Sequence, residues 1–241
     1  MEGNITKSYK FGTFITSDIL IELNKFITGE YSFVKYSIHT FDGAVYKIED
    51  FNQILEYDNQ GYRRLKIINI MGCKDSDSDV SFIYPDITLS LRDASEYNAS
   101  VEYTIRKATQ KEITYLTSKI DEVVLNFKSN YSWLHTLSAR LMFLFLFYIP
   151  AVYFIIKNMD KITDKTYFTI MLITYSFIGA MVLSWIYEKI LLMFPKTVFY
   201  IGKQIQLYDK IKKRKNYFIY GIIFTFILSV LASVTANYIG K

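Results

Sequence analysis

Three long apolar segments in the second half of the chain restrict its fold more than any other feature of the sequence. They cover residues 141–156, 167–187 and 217–239, and the first two continue to residues 137 and 194 with few polar residues added. A helix needs about 20 apolar residues to cross the hydrocarbon core of a bilayer. The sequence therefore predicts an all-α transmembrane bundle of three helices, at about 137–157, 167–194 and 217–239.

Charge is distributed unevenly between the two parts of the chain. Residues 1–136 contain 15 Lys and Arg against 19 Asp and Glu, whereas residues 137–241 contain 13 against 4. The loop at 195–216 is strongly basic, and short basic loops lie on the cytoplasmic side of a membrane. We therefore predict a multi-pass protein of the inner or plasma membrane, with a cytoplasmic N-terminal domain and its C-terminus outside. The absence of a basic, apolar leader favours the same orientation.

The first 135 residues show the alternating patterns of an α+β domain. An Asp-Gly pair at 42–43 is typical of a β-hairpin turn, and a capping box at 109–112 predicts the start of a helix. We predict a soluble domain at 1–135, with a mainly antiparallel sheet and two main helices, followed by a transmembrane domain at 136–241. The predicted strands are 9–16, 31–39, 44–48, 62–72, 80–91 and 100–106, and the predicted helices are 17–27, 49–56 and 109–128.

The residue types that most catalytic and metal sites require are scarce. His39 and His135 are the two histidines, Cys73 is the single cysteine, and no metal-binding or nucleophile motif occurs. The acidic loop at 73–79 lacks the glycine and the distal glutamate of a calcium loop. We therefore expect neither an enzyme nor a bound metal or cofactor.

Basic residues beside aromatic ones provide the best candidate binding site. Arg63, Arg64 and Lys66 form one cluster, and Arg106 and Lys107 form another. If both lie at one edge of the sheet, their cationic groups bind phosphate while neighbouring tyrosines stack on bases. We predict that these five residues bind a nucleotide or a nucleic acid. The alternative is ordinary surface charge on a domain that is net acidic.

Small and polar residues recur at every fourth position of the second and third apolar segments. The two stripes are Ser176, Ala180, Ser184 and Glu188, and Thr225, Ser229, Ser233 and Asn237. Small residues let helices approach closely in lipid, and an ionisable residue near the membrane is a functional candidate. Whether the stripes line a pore or pack helices stays open. Three helices of one chain do not enclose an aqueous path, so a pore requires a homo-oligomer.

The loop at 195–216 combines apolar residues at roughly helical spacing with a run of basic residues. This pattern predicts an amphipathic helix that lies in the membrane interface. Its basic residues are predicted to contact anionic lipid headgroups or a phosphate-bearing ligand. They are Lys210, Lys212, Lys213, Arg214 and Lys215.

The layout of the chain, a small α+β domain that leads through Trp133 into the segment 141–156, resembles the membrane effectors of bacterial anti-phage defence. Effectors of the Hailong type, which are gated by a nucleic-acid ligand, are one example. The resemblance implies that the α+β domain senses a ligand and that an oligomer of the helical part opens a pore. It assigns ligand binding to the two basic clusters and the pore to the two polar stripes.

Two functions follow from these observations. The first is an oligomeric membrane effector or channel, whose cytoplasmic domain senses a nucleotide or nucleic acid and gates a pore. The second is a membrane-tethered adaptor that recruits a partner protein, such as one encoded in the same operon. The two functions can be distinguished by replacing the helices with an unrelated bundle. An adaptor would keep its function after this replacement, whereas a channel would lose it.

Overall fold

The structure is a computed structural model that describes most of the chain. The described residues are 2–74, 84–95, 97, 99–130, 132–157, 165–192, 194–206, 208–217, 220, 221, 224 and 225. The elements are, in chain order, β1 (Glu2–Tyr9), β2 (Thr13–Thr16), α1 (Ser17–Glu30), β3 (Phe33–Thr40), β4 (Val45–Ile48), α2 (Phe51–Leu55), β5 (Leu65–Cys73), β6 (Ile87–Arg92), β7 (Val101–Thr109), α3 (Gln110–Asn126), α4 (Leu137–Lys157), α5 (Lys165–Leu192) and β8 (Thr197–Tyr200).

A six-stranded sheet in the order β1-β7-β6-β5-β3-β4 organises the first part of the chain. Its neighbouring strands all pair antiparallel. The helices α1 and α3 contact each other and the sheet, and their apolar faces, which include Leu20, Leu23, Leu116 and Ile120, are fully or almost fully buried. The predicted antiparallel sheet with two main helices is therefore present.

Local signals set the ends of these elements. The Thr16 hydroxyl accepts a hydrogen bond from the amide of Ile19 at the start of α1. Thr109 and Glu112 form the predicted capping box, in which each side chain accepts from the backbone amide of the other residue. Both caps satisfy amides that have no partner inside their helix.

The carboxylate of Asp121 fixes α3 to two strands. It accepts hydrogen bonds from Lys7 Nζ at 2.8 Å, Tyr9 Oη at 2.5 Å and Tyr103 Oη at 2.6 Å. Partial burial raises the pKa of Asp121, but these three donors together outweigh that effect and leave the pKa below its usual value. The charged carboxylate therefore stabilises the packing of α3 against β1 and β7.

Three predicted strands have other bounds in the structure. The predicted strand 9–16 is divided, because β1 ends at Tyr9 and pairs with β7, whereas β2 begins at Thr13. The predicted strand 62–72 begins with a 3₁₀ turn at Gly61–Arg63, where Gly61 has a φ of 58°. Residues 80–83 of the predicted strand 80–91 lie outside the described part, and β6 begins at Ile87.

The basic loop at 195–216 contains a strand that the sequence analysis missed. β8 pairs parallel with β2, so that Thr13 lies opposite Thr197. Phe199 and Ile201 belong to the main hydrophobic core. The apolar residues at 198 and 201 were predicted to form one face of an interfacial helix, which is wrong, because they are buried beside the sheet. Residues that follow α5 in the chain thus contribute to the core of the α+β unit.

Buried polar groups hold β8 in place. The Thr197 hydroxyl accepts from Thr13 Oγ1 at 3.2 Å and from the amide of Ala94 at 3.0 Å. The fully buried Asn59 donates from Nδ2 to the carbonyl oxygen of Phe199 at 3.1 Å and accepts from the amide of Leu65 at 2.7 Å. These bonds satisfy groups that would otherwise be costly to bury.

The apolar segments at 137–157 and 167–194 form α4 and α5, which pack against each other. Across the described residues, however, none of the helices combines the length with the apolar character that a membrane crossing demands. This finding contradicts the predicted three-helix transmembrane bundle. The predicted multi-pass location, and the membrane, channel and pore assignments that depended on it, are contradicted as well.

A polar contact bears on the first two of the predicted segments. Arg140 Nη2 lies 2.5 Å from Ser184 Oγ and 3.9 Å from Glu188 Oε1, so one end of the α4–α5 pair is polar and its apolar stretch is shorter than the helices. Of the third segment at 217–239, the structure describes only residues 217, 220, 221, 224 and 225.

We predict that Gly202→Ala destabilises the protein by about 2 kcal/mol or more, the scale of local backbone strain. Gly202 has a φ of 56°, and a Cβ there would lie 2.1 Å from the carbonyl oxygen of Tyr57. Thermal unfolding measures the loss. Gly43→Ala is the matched control, because Gly43 has a φ of 85° but open space around a Cβ. Equal losses in the two variants would contradict the close approach of the β8 segment to Tyr57.

Candidate functional site

A cavity of about 750 Å³ lies where the sheet, the α4–α5 pair and β8 meet. Its walls come from residues 64–65 and 93–95 of the α+β unit, from the start of α4, from the end of α5, and from residues 195–199. Tyr208 and Ile211 close another side. Pockets for small ligands have volumes of roughly 300–1,000 Å³, so the cavity has the size of such a site.

The lining of the cavity carries charges of both signs. Arg64, Arg140 and Lys196 supply three cations, and Asp93 and Glu188 supply two carboxylates. A positive excess in a recessed site favours anionic ligands. Arginine in particular binds phosphate and carboxylate groups with two parallel hydrogen bonds.

A row of alternating cations and rings, here called the basic–aromatic ladder, begins at the rim of this cavity. The Arg64 guanidinium carbon lies 3.9 Å from the ring centroid of Phe41. Lys66 Nζ lies 5.8 Å from Phe41 and 5.6 Å from Tyr97. The Arg92 guanidinium carbon lies 5.7 Å from Tyr97. Arg64 therefore belongs to both the ladder and the cavity.

Strand pairing sets the spacing of the ladder. Lys66 lies in β5 next to Ile67, which is opposite Arg92 in β6. Phe41 follows β3, and its amide donates to the carbonyl oxygen of Arg64 at 3.1 Å. The amide of Tyr97 donates to the carbonyl oxygen of Asp93 at 3.2 Å. Backbone hydrogen bonds thus hold both rings beside the strand ends.

The two basic clusters predicted from the sequence lie at opposite ends of the sheet. Ile67 is opposite Arg92, whereas Ile87 at the other end of β6 is opposite Ile105. β6 has six residues, and its two end residues are five steps of about 3.3 Å apart, so roughly 17 Å separates them. Arg63, Arg64 and Lys66 therefore do not meet Arg106 and Lys107 in one patch.

At the far end of the sheet, the two residues of the second cluster, Arg106 and Lys107, contact other residues of the same domain. Arg106 Nη1 donates to the carbonyl oxygen of Pro85 at 3.2 Å. Lys107 Nζ lies 3.9 Å from Asp86 Oδ1, and the Lys107 amide donates to Asn4 Oδ1 at 3.2 Å. Lys107 also has a φ of 53°. These contacts favour a structural role for this cluster.

The start of α4 is fastened to the end of α5 beside the cavity. His135 Nε2 lies 2.6 Å from the carbonyl oxygen of Phe194, and Tyr187 donates its hydroxyl to the carbonyl oxygen of Leu134. Burial lowers the pKa of His135 below its usual value, and nearby Lys196 adds to this, against the hydrogen bond to Phe194, which raises it. His135 therefore stays neutral in the folded protein at neutral pH.

The predicted polar stripes are only partly described. Ser184 and Glu188 meet Arg140 at the cavity, and Ala180 is half-buried on α5. Thr225 donates its hydroxyl to the carbonyl oxygen of Gly221 at 2.8 Å. The predicted positions whose side chains lie outside the described part are Ser176, Ser229, Ser233 and Asn237.

The predicted basic run lies on a helical segment at 208–217. It comprises Lys210, Lys212, Lys213, Arg214 and Lys215. Lys215 Nζ lies 5.4 Å from the ring centroid of Phe194, and partial burial together with Lys212 lowers the pKa of Lys215. The segment therefore borders the cavity through Tyr208 and Ile211 and carries a cationic surface beside it.

Several residues of the site were missed by sequence reasoning. Arg92, Phe41 and Tyr97 are ordinary in the sequence and become neighbours of Lys66 only through strand pairing. Arg140 had a signal, because it is the single charged residue between positions 137 and 156. Within the described residues, no group of three or more His, Cys, Asp and Glu side chains is placed to hold a metal ion.

Comparisons with protein-family models, with curated proteins and with solved structures give no match. The function of the chain is therefore argued from the cavity and the basic–aromatic ladder alone.

We predict that the protein loses stability as the pH falls through about 6.5, the usual pKa of histidine. The pKa of His135 in the folded protein is lower, so the unfolded chain takes up the proton first as the pH falls. This protonation stabilises the unfolded chain relative to the folded protein. Thermal unfolding between pH 5.5 and 7.5 measures this slope. His135→Gln should flatten it.

A second histidine serves as the comparison for this experiment. Burial and then Lys66 lower the pKa of His39 in the sheet, so His39→Gln should remove a separate part of the slope. A slope that His135→Gln leaves unchanged would show that burial does not hold His135 neutral in the folded protein.

Proposed function

We propose that this chain is a ligand-sensing module that binds a nucleotide, or the end of a short single-stranded nucleic acid, at the cavity and the basic–aromatic ladder. The observation that carries this proposal is the position of Arg64. Its guanidinium carbon lies 3.9 Å from the ring centroid of Phe41, and the same residue lines the cavity. A single ligand with a phosphate and a base can therefore occupy both.

The cavity supplies the phosphate part of the site. Arg64, Arg140 and Lys196 are within its lining, and guanidinium groups match the geometry of phosphate oxygens. The two carboxylates, Asp93 and Glu188, keep its net charge low. This balance favours a small ligand with a few negative charges over a long polyanion.

The ladder supplies the part that recognises a base. Bases stack on aromatic side chains and on guanidinium planes, and such stacking tolerates any base identity. The two rings, Phe41 and Tyr97, alternate with three cations along the ladder. A base that stacks on either ring therefore has a positive charge next to it. The net acidic character of residues 1–136 opposes extended nucleic-acid binding.

The output of the sensor is proposed to pass through α4 and α5. Both helices contribute to the walls of the cavity, α4 through Leu137 and Arg140 and α5 through Tyr187, Glu188, Leu191 and Leu192. A ligand that contacts the sheet and the helices at once favours one arrangement of the two parts over others.

A second candidate function is an adaptor that docks a partner protein on the helical pair. Large apolar side chains are exposed along α4 and α5, among them Phe145 (58%), Met181 (60%) and Trp185 (60%). Exposed apolar patches of this kind are typical of interaction sites. The same surface is proposed to bring copies of the chain together as a homo-oligomer.

We predict that the full-length protein binds ATP and that Arg64→Ala weakens this affinity at least about tenfold, since hydrogen bonds to a charged group contribute about 1.5–3 kcal/mol. Isothermal titration calorimetry measures the affinity. Arg106→Ala is the matched control, because it removes an arginine from the opposite end of the sheet. Equal affinity of the wild type and Arg64→Ala would contradict the proposed site.

The role of the ladder is tested with Tyr97→Leu. Loss of a stacking ring should weaken ATP binding about 5- to 100-fold, as expected for one stacked base, and should leave the binding of inorganic tripolyphosphate nearly unchanged. An equal loss for both probes would show that Tyr97 supports the cations and does not contact a base.

The homo-oligomer proposed at this surface predicts that native mass spectrometry detects an assembly larger than one chain. Met181→Ser combined with Trp185→Ser should shift the population toward the monomer, because it removes exposed apolar area from α5. Leu125→Ser is the control, since Leu125 is exposed to a similar degree (57%) but lies on α3. A monomeric wild type, or an unchanged assembly in the α5 variant, would count against this surface.

A further inference from the structure

One arginine of the cavity is already paired within the chain. Arg140 on α4 donates from Nη2 to the hydroxyl of Ser184 at 2.5 Å, and the same nitrogen lies 3.9 Å from Glu188 Oε1. Arg140 and Glu188 both line the cavity, whereas Ser184 lies one turn earlier on α5. The contact therefore joins the two helices at the wall of the proposed ligand site.

The carboxylate of Glu188 holds Arg140 only weakly. Its distance of 3.9 Å is longer than a charge-assisted hydrogen bond, and the Glu188 side chain is 66% exposed. Water screens such a pair, so its separation costs little. A phosphate that offers two oxygens to the guanidinium fork would form the better contact.

The backbone around this pair is held by other bonds. Tyr187 donates to the carbonyl oxygen of Leu134, and His135 contacts the carbonyl oxygen of Phe194. Neither bond involves the side chains of Arg140 or Glu188. If Arg140 changes its partner, these two bonds therefore still hold the start of α4 to the end of α5.

We propose that Arg140 is a phosphate-binding residue of the cavity and that Glu188 occupies the place of the ligand anion in the unliganded chain. An entering phosphate displaces the carboxylate, and Arg140 exchanges a contact between α4 and α5 for a contact with the ligand. This inference rests on the proposed function and adds to it Glu188 as a competitor of the ligand for Arg140. Glu188 thereby sets the affinity threshold of the sensor.

The test uses the full-length protein with inorganic tripolyphosphate as the probe and calorimetry as the measurement. Glu188→Gln should raise the affinity by up to about fivefold, the scale of an exposed ion pair, because it removes the competing charge and keeps the shape of the side chain. Arg140→Gln should lower it at least tenfold. Glu122→Gln is the matched control for charge, because Glu122 is 69% exposed on α3 and pairs with Lys119 away from the cavity.

A double variant separates competition for Arg140 from a general effect of charge. If Glu188 acts by occupying Arg140, then Glu188→Gln gains little affinity when Arg140 is already Gln. The same gain in both backgrounds would overturn the inference, since it would show that Glu188 repels the anion without holding Arg140. Thermal unfolding of each variant verifies that it is folded.

The outcomes distinguish this inference from the proposed function. If the wild type binds the probe and Glu188→Gln binds it equally, the competition is disproved and the sensor function stands. If neither the wild type nor Glu188→Gln binds tripolyphosphate or ATP, the proposed function is disproved and the inference with it. Tighter binding by Glu188→Gln, lost on Arg140→Gln, supports both.

Discussion

The pairing of β8 with β2 is the contact on which the rest of the structure depends. It forms a separate two-stranded sheet that brings the chain back to the α+β unit after two long helices. Thr197 and Asn59 satisfy the polar groups that this return buries. Without it the core would lose Phe199 and Ile201. The cavity would also lose a wall, because residues 195–199 line it. One short strand therefore completes the fold and encloses the candidate site.

The candidate site combines residues of two different origins. Arg64 and the ladder belong to strand ends, where backbone pairing fixes their spacing. Arg140 and Glu188 belong to helices, where a weak ion pair leaves them able to change partners. These two sets of residues are the basis of the ligand-sensing function that we propose.

Local patterns were sufficient to predict much of the α+β unit and insufficient for the site. The capping box of α3 and the hairpin turn after β3 depend on residues a few positions apart, and both are present. The proximity of Arg63 to Arg106 required the register of β6, which no local pattern encodes, and that prediction was wrong. The apolar segments predicted the helices α4 and α5. They did not predict that Arg140 would meet Glu188 beside the sheet.

The hydrogen bond between Thr13 and Thr197 joins residues 184 positions apart in the chain. Contacts between such distant residues are slow to form, because a long loop has to close before they contribute. The sheet and α1 are synthesised early, yet the core of which they are part is incomplete until residue 201 has left the ribosome. During that interval the part of the core that Phe199 and Ile201 cover stays exposed to solvent.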